Sequence, residues 1–495
     1  MLTKAFKRAK VIIEDPKLST VLFWIILLAL FIRFPFFFRD YVDRDESTFI
    51  LVAQSWVEGH LPYTQLWDVK PPFTFLFFTG IIAVFGKSLF AIRFFGTLLV
   101  VISSFFTYRI GVLVTTKKAA FIGALSCVAL QSLFGSLQGV MSEHIAMAFF
   151  MPALYILVKP TNIRYMFLAG ALLGISVMTK LNLAYALLFL GLFLLIEGAY
   201  QKKYKRAIIC SMAYGAGIVL LIILAMLPYY LQDHLSLWWK SVIQAPLEYA
   251  SARRYSIFKM APFLLVLSAF FLYTWKRKLV DYKNRTTLIL TIAIIGVGLS
   301  FVKGGRINGH YLIQLHPILI ILVAVVLQKI KFVGTIKVKP YWLMLLLLIP
   351  MESYLEYINI VKNKIERNTF YNGEGISVPK YIQESQLQTT NILFLGYHIG
   401  YWRLGVNPPT KAATHPSNIC KEEMFSAYDN PRKTSMEELQ YIMEVLQPKT
   451  IVTRKNRRVF DKKEIEENEY IDAYLRQHYK VHATIEQAEV LQRLE

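Results

Sequence analysis

The sequence predicts a polytopic α-helical membrane protein that ends in a small C-terminal α/β domain. The chain has 495 residues, of which 55% are hydrophobic, and its mean hydropathy is +0.43. A soluble protein of this length needs a more highly charged surface than that composition allows. Apolar runs of about 17 residues or more, long enough to cross roughly 30 Å of hydrocarbon, recur over positions 1–358. From position 359 onward the composition becomes polar.

The formal net charge of +22 does not indicate a nucleic-acid-binding protein. Most lysines and arginines lie in short loops between apolar runs, where the positive-inside rule places them. No basic patch is interleaved with aromatic residues on a soluble fold. The positive charge therefore indicates membrane topology, and we expect the lipid bilayer, not nucleic acid, as the partner.

The topology follows from the basic residues and from one short apolar stretch. Several lysines and an arginine precede the first apolar run, 18–38, so the N-terminus is expected to be cytoplasmic. The stretch Phe73–Phe85 would span only some 20 Å as a helix, which is short for a crossing. If it lies in the outer interface, every later loop with clustered basic residues faces the cytoplasm. We therefore expect an interfacial helix within an outer loop, 39–88.

This layout predicts about eleven transmembrane helices and places the C-terminal domain outside the cytoplasm. The predicted spans are 18–38, 89–113, 119–137, 142–158, 165–180, 183–199, 207–230, 260–275, 286–302, 311–328 and 340–358. The chain is thus expected to consist of a membrane module, 1–358, and an extracytoplasmic domain, 359–495. We expect the protein in the plasma (inner) membrane.

The C-terminal segment has the pattern of a small α/β domain. The segments 391–398 and 450–455 are apolar enough to be strands, and 435–447 has the periodicity of an amphipathic helix. A further helix near Tyr470–His478 and two final strands complete the predicted domain.

In this topology the unusual ionisable side chains collect at the outer ends of the spans. A charge near the centre of a spanning helix costs about 2.5–3.5 kcal/mol, so such residues often mark a site. Singly, each has a simpler explanation: Lys70 is placed to snorkel at the interface, and Glu143 and Arg306 are placed to be ordinary span or loop termini. Lys180 is harder to explain in this way, because it interrupts the apolar segment "MTKLNL". Their shared side favours a common site.

These residue types suit sugar transfer from a lipid phosphate. A carboxylate can take the proton from an attacking hydroxyl, and cations can neutralise the phosphate that leaves. A phosphate leaving group needs no general acid. Nucleotide sugars are cytosolic, whereas lipid carriers reach the outer leaflet.

The segment "DRDESTFILVAQSWVEGHLPYTQLWDVKPPFTFLFFTGIIAVFGKSLFAIRFFGTLL" resembles the first outer loop of the GT-C glycosyltransferases related to protein O-mannosyltransferases and the lipid A aminoarabinose transferase. The resemblance rests on a DE pair, an aromatic residue, A…G..PY, D.KPP, an FG pair and an arginine. These positions are Asp45-Glu46, Phe49, Ala53, Gly59, Pro62-Tyr63, Asp68, Lys70-Pro71-Pro72, Phe85-Gly86 and Arg93. "LLGISVMTKLNL" and "GGRINGHYLIQLHPILIIL" resemble two later family segments.

The resemblance implies a GT-C fold and a role for each matching residue. Asp45 would be the catalytic base, with Glu46 as a second carboxylate beside it, and Lys70 would contact the carrier phosphate. Glu143 takes a place where many relatives have an aspartate, and here His144 follows it. The expected substrate- and phosphate-binding residues are Asp68, Lys70, Glu143, His144, Lys180, Arg306, His310 and Tyr311.

Together these features predict an inverting transferase that moves a monosaccharide from a polyprenyl phosphate to an acceptor hydroxyl. The acceptor is left open among a glycolipid, a polysaccharide and a protein. We expect no required cofactor and no bound metal, although Asp45, Glu46 and Glu143 are also able to bind a divalent cation. The alternative is a lipid or sugar transporter or flippase, which predicts broken helices near the midplane and two related halves. A signalling receptor would leave Lys180 unexplained.

Overall fold

The computed structural model describes residues 14–40, 42–159, 162–252, 257–305, 307–330 and 348–494. The chain divides into two compact units. Unit 1 consists of Met1–Pro35, Arg93–Ala225 and Arg253–Leu355, and unit 2 consists of Phe36–Ile92, Met226–Ala252 and Glu356–Glu495.

The described chain is mainly helical. In chain order the α-helices are α1 Leu18–Arg33, α2 Arg44–Val57, α3 Pro72–Phe85, α4 Leu89–Gly111, α5 Lys117–Leu130, α6 Ser142–Leu157, α7 Ile163–Val177, α8 Ala184–Tyr200, α9 Tyr204–Leu231, α10 Leu235–Trp239, α11 Ala245–Ser251, α12 Ile257–Lys276, α13 Arg285–Gly304, α14 His316–Lys329, α15 Met351–Arg367, α16 Glu374–Glu384, α17 Gly400–Leu404, α18 Ser435–Gln440 and α19 Ile465–His478. The strands are β1 Leu393–Phe394, β2 Thr450–Arg454, β3 Tyr479–Ile485 and β4 Ala488–Arg493.

Among the described residues, five helical segments are long and apolar enough to cross a membrane. They are Leu18–Phe38, Leu89–Gly111, Leu181–Tyr200, Tyr204–Leu231 and Arg285–Gly304. Five shorter apolar helices accompany them: Pro72–Phe85, Ser142–Leu157, Ile163–Val177, Met260–Lys276 and His316–Lys329. The protein is therefore a multi-pass helical membrane protein.

The predicted number of eleven spans stays a prediction. The span predicted at 340–358 lies partly outside the described residues, and its described end belongs to the more polar helix α15. The span predicted at 119–137 is shorter than expected, since α5 ends at Leu130. Phe134 and Gly135, with φ of 74° and 60°, then take the left-handed conformation, which cannot continue a helix.

In unit 1 a buried arginine supports the segment that leads to α6. Arg33 is only 1% exposed, and its guanidinium donates to the carbonyls of Leu137 and Gly139, each at 2.7 Å, and to Thr97 Oγ1 at 3.2 Å. A buried guanidinium is tolerated when acceptors surround its donors. These bonds hold residues 137–139 in place, directly before α6 begins at Ser142.

In unit 2 the start of α2 is determined by an N-cap. The Asp43 carboxylate accepts a hydrogen bond from the Asp45 backbone N–H at 2.8 Å, which satisfies a donor that the helix itself leaves without a partner. Asp45 and Glu46 thus lie in the first helical turn, where the helix dipole stabilises negative charge. α3 begins at Pro72, a favoured first helical residue, and ends at Phe85, followed by Gly86, whose φ of 64° suits glycine.

The C-terminal part of unit 2 contains a four-stranded sheet of order β1-β2-β4-β3. β1 pairs with β2 in parallel, and the other two pairings are antiparallel. Strands lie within both predicted segments, the predicted helix at 435–447 is α18 continued by a π-helical segment, Tyr441–Leu446, and α19 precedes the two final strands. The domain boundary at 359 stays a prediction, because unit 2 also contains segments 36–92 and 226–252.

Candidate functional site

The carboxylate of Asp45 is the centre of a charged cluster in unit 2. Lys70 Nζ lies 3.3 Å from Asp45 Oδ2, and His415 Nε2 lies 3.4 Å from Asp45 Oδ1. The side chains of Asp45, Lys70 and His415 are 24%, 14% and 8% exposed, respectively. We call these three residues the Asp45 cluster. The Asp45 carboxylate contacts Lys70 through one oxygen and His415 through the other, and it is still partly exposed to solvent.

Lys70 is positioned by the turn that precedes α3. The Tyr63 hydroxyl donates to the Lys70 carbonyl at 2.6 Å, and Tyr63 itself is fully buried with a φ of 74°. The Lys70 ammonium also lies 5.4 Å from the centre of the Phe49 ring, within range of a cation–π contact. The backbone and the aromatic face together hold the ammonium near Asp45.

The two other predicted carboxylates of the outer loop are buried. Glu46 and Asp68 are 1% and 4% exposed, whereas Asp45 is accessible. Burial, followed by the charge of Asp68, raises the pKa of the Tyr428 hydroxyl well above its usual value. Asp45 is therefore the most accessible of the three carboxylates to an incoming hydroxyl.

Two histidines that the sequence interpretation missed lie beside the Asp45 cluster. His398 Nε2 is 2.9 Å from Thr48 Oγ1, and the rings of His398 and His415 are 5.7 Å apart at their centres. Burial lowers the pKa of both imidazoles, that of His398 well below its usual value. Both lie in the C-terminal segment, which carries no motif, so nothing in the sequence distinguishes them from the other histidines there.

Unit 1 contains a second charged cluster, formed by Glu143, Lys180 and Tyr311. Lys180 Nζ lies 2.6 Å from Glu143 Oε1 and 4.7 Å from the centre of the Tyr311 ring. Ser142 Oγ donates to Glu143 Oε2 at 3.0 Å. His310 adjoins Tyr311 with their ring centres 4.9 Å apart. The structure thus brings together four predicted site residues from three separate segments of the sequence.

His144 makes backbone contacts with both of its ring nitrogens. Nδ1 accepts from the Met141 N–H at 3.1 Å, so Nε2 carries the hydrogen of the neutral ring and donates to the Gln131 carbonyl at 2.8 Å. These bonds favour a structural role at the start of α6. Its predicted part in substrate binding stays a prediction.

The remaining predictions concern residues or relationships that the structure does not test. Arg306 lies outside the described residues. Asp45 and Glu143 belong to different units, so the expectation that both clusters share one pocket stays a prediction. Within the described ranges no group of three or more His, Cys, Asp or Glu side chains is arranged to hold a metal ion. Metal independence also stays a prediction.

Comparison with known proteins finds a match between part of the chain and a protein-family model. The family model for dolichyl-phosphate-mannose-protein mannosyltransferase matches residues 69–229, a range that includes Lys70, Glu143 and Lys180 but neither Asp45 nor Glu46. None of the curated protein sequences matches the chain significantly.

Solved structures show a likeness over nearly the whole chain. ArnT from Cupriavidus metallidurans in the apo state has a TM-score of 0.60 at 14% identity, covering 95% of this chain and 98% of that one. ArnT bound to undecaprenyl phosphate has a TM-score of 0.57 at 14% identity, covering 96% and 97%. A more distant likeness, with a TM-score of 0.42, is to the oligosaccharyltransferase AglB from Archaeoglobus fulgidus at 13% identity, covering 88% and 69%. The fold is that of ArnT, and the predicted resemblance to the protein mannosyltransferases is confirmed over residues 69–229.

Proposed function

We propose that the protein is an inverting glycosyltransferase that takes a monosaccharide from a polyprenyl phosphate and transfers it to an acceptor hydroxyl. The observation that carries this proposal is the Asp45–Lys70 pair: an accessible carboxylate 3.3 Å from a cation, at the start of α2. The match to the mannosyltransferase family and the undecaprenyl phosphate bound to ArnT support a lipid-phosphate donor.

In the proposed reaction Asp45 accepts the proton of the acceptor hydroxyl. The hydroxyl oxygen forms a bond to the anomeric carbon while the bond from that carbon to the phosphate oxygen breaks. The leaving phosphate gains negative charge, which the Lys70 ammonium stabilises in the transition state. A single displacement of this kind inverts the anomeric configuration. The proton ends on Asp45, and polyprenyl phosphate is released.

The second cluster has a chemistry that complements this reaction. Lys180 is the one cation of the Glu143, Lys180 and Tyr311 cluster, and the aromatic face beside it suits a sugar ring. We propose that this cluster, with His310 and Arg306, contributes to binding of phosphate or sugar. We also propose that both clusters face the extracytoplasmic side of the plasma membrane, because lipid carriers present their sugars there.

A transfer assay with defined donors tests the proposal. Purified protein in vesicles is given synthetic polyprenyl-phosphate mannose, glucose, galactose, N-acetylglucosamine or aminoarabinose, together with an envelope extract as the acceptor source. We expect one donor to release polyprenyl phosphate and to label one acceptor fraction. Asp45→Asn should lower the rate of transfer by at least about 100-fold, within the range attributed to general bases.

The matched control is Asp472→Asn, a change at an exposed aspartate of α19. Full activity of Asp45→Asn would contradict the assignment, and lipid movement without release of polyprenyl phosphate would favour a flippase.

A further inference from the structure

The contact between His415 and Asp45 joins the start of α2 to a segment far along the chain. His415 is 6% exposed, and its Nε2 lies 3.4 Å from Asp45 Oδ1. The neighbouring residue Thr414 accepts a hydrogen bond from the Trp67 backbone N–H through Oγ1, at 3.3 Å. The segment that carries His415 is therefore also bonded to the loop that carries Lys70.

The hydrogen-bond partners of Nδ1, the second ring nitrogen of His415, indicate which tautomer the neutral ring adopts. Nδ1 accepts a hydrogen bond from the Ser417 backbone N–H at 3.2 Å, and the Ser417 hydroxyl, 2.8 Å from Nδ1, is placed to donate to it as well. A backbone N–H can only donate, so Nδ1 carries no hydrogen in the neutral ring. The hydrogen is then on Nε2, which faces Asp45 Oδ1. Neutral His415 thus presents a donor to the carboxylate.

The two oxygens of Asp45 have partners of different charge. Oδ2 faces the ammonium of Lys70, and Oδ1 faces His415. Burial lowers the pKa of His415, its hydrogen bond to Asp45 opposes that effect, and the charges of Lys421, Asp45 and Asp68 add smaller effects. His398 is a further titratable group beside the ring. A neutral donor orients a carboxylate without adding a second positive charge, which would make the carboxylate a weaker base. Each oxygen keeps further lone-pair capacity for an incoming proton.

We propose that His415 is a positioning residue that orients the Asp45 carboxylate through its Nε2–H. This inference rests on the proposed function of Asp45 as the base, and it assigns a part in the reaction to the C-terminal segment.

Three variants test this role in the donor assay. His415→Ala should lower kcat by about tenfold or more, since a hydrogen bond to a charged group is worth at least that factor. The donor KM should change by less than about twofold. His415→Gln places an amide N–H near the position of Nε2 and should restore most of kcat. His482→Ala, a change at an exposed histidine of β3, is the control. Equal defects in His415→Ala and His415→Gln, or a defect that appears in the donor KM and not in kcat, would overturn the proposal.

A measurement without any substrate separates this inference from the proposed function. In protein labelled with ¹⁵N-histidine, the signals missing from His415→Gln identify His415. We expect the neutral tautomer with hydrogen on Nε2, and we expect Asp45→Asn to shift the Nε2 resonance. A hydrogen on Nδ1, or an Nε2 resonance that is the same in Asp45→Asn, would overturn the positioning role. If no donor is used, the proposed function fails, and the spectrum still decides whether His415 holds Asp45.

Discussion

Lys180 Nζ lies 2.6 Å from Glu143 Oε1 in unit 1, and the two side chains are 9% and 0% exposed. Removing one member of such a pair leaves the other charge buried without its counter-ion. The usual cost is about 3–5 kcal/mol of stability. Replacing both members with apolar residues of similar size is often close to neutral.

We therefore predict that Lys180→Met lowers the thermal unfolding midpoint and that the double variant Glu143→Leu with Lys180→Met restores most of it. The physical reason is that the double variant removes both charges at once. Unfolding is followed by intrinsic fluorescence in detergent. Transfer activity should be absent from both variants if Lys180 binds phosphate or sugar. A double variant that is less stable than Lys180→Met alone would show that the pair itself stabilises unit 1.

Stability should also depend on pH through His398. Burial holds the pKa of this imidazole well below its usual value in the folded protein, whereas the unfolded chain has a histidine pKa of about 6.5. Below that pH the unfolded state takes up a proton that the folded state does not, so stability is full above about pH 6.5 and is lost as the pH falls. Each such histidine contributes a slope of about 1.4 kcal/mol per pH unit.

We predict that His398→Gln has a shallower loss of stability between pH 7 and pH 5 than the parent protein. The measurement is the midpoint of denaturant unfolding at several pH values. His482→Gln removes an exposed histidine and should leave the slope as it is in the parent. Identical slopes in His398→Gln and the parent would mean that His398 titrates normally in the folded state.

The predicted site residues that are in contact in the structure are those joined by local geometry or by topology. Asp45 and Lys70 flank one loop, and Glu143 and Lys180 end spans on the same predicted side, so hydropathy and motif order place them. His415 was missed because its contact with Asp45 depends on how the C-terminal segment folds back within unit 2. Periodicity likewise located the strands at 391–398 and 450–455, but it carries no information on strand order. The placement of β4 between β2 and β3 is decided by tertiary pairing.

His144 offers a direct test of a structural role against a binding role. Its ring bonds the Met141 N–H and the Gln131 carbonyl. His144→Phe therefore leaves the buried Met141 N–H without this partner, whereas the Gln131 carbonyl keeps the Arg33 guanidinium at 3.3 Å. Loss of the partner of a buried N–H costs about 1–3 kcal/mol. We predict a lower unfolding midpoint with the donor KM unchanged. A raised donor KM at full stability would instead support the substrate-binding role.

Lys70 should act mainly on the donor. Its ammonium lies 3.3 Å from Asp45 Oδ2, and a charge-assisted hydrogen bond to a phosphate is worth about a tenfold to hundredfold change in binding. We predict that Lys70→Ala raises the Kd for undecaprenyl phosphate by at least about tenfold, measured by native mass spectrometry of vesicle-derived protein, and lowers kcat with the donor.

Lys380→Ala, a change at an exposed lysine of α16, is the matched control. Lys70→Arg should keep the positive charge and recover part of the binding, although a planar guanidinium fits this position differently. Unchanged binding of undecaprenyl phosphate in Lys70→Ala would remove the phosphate contact and leave Lys70 only as a partner of Asp45.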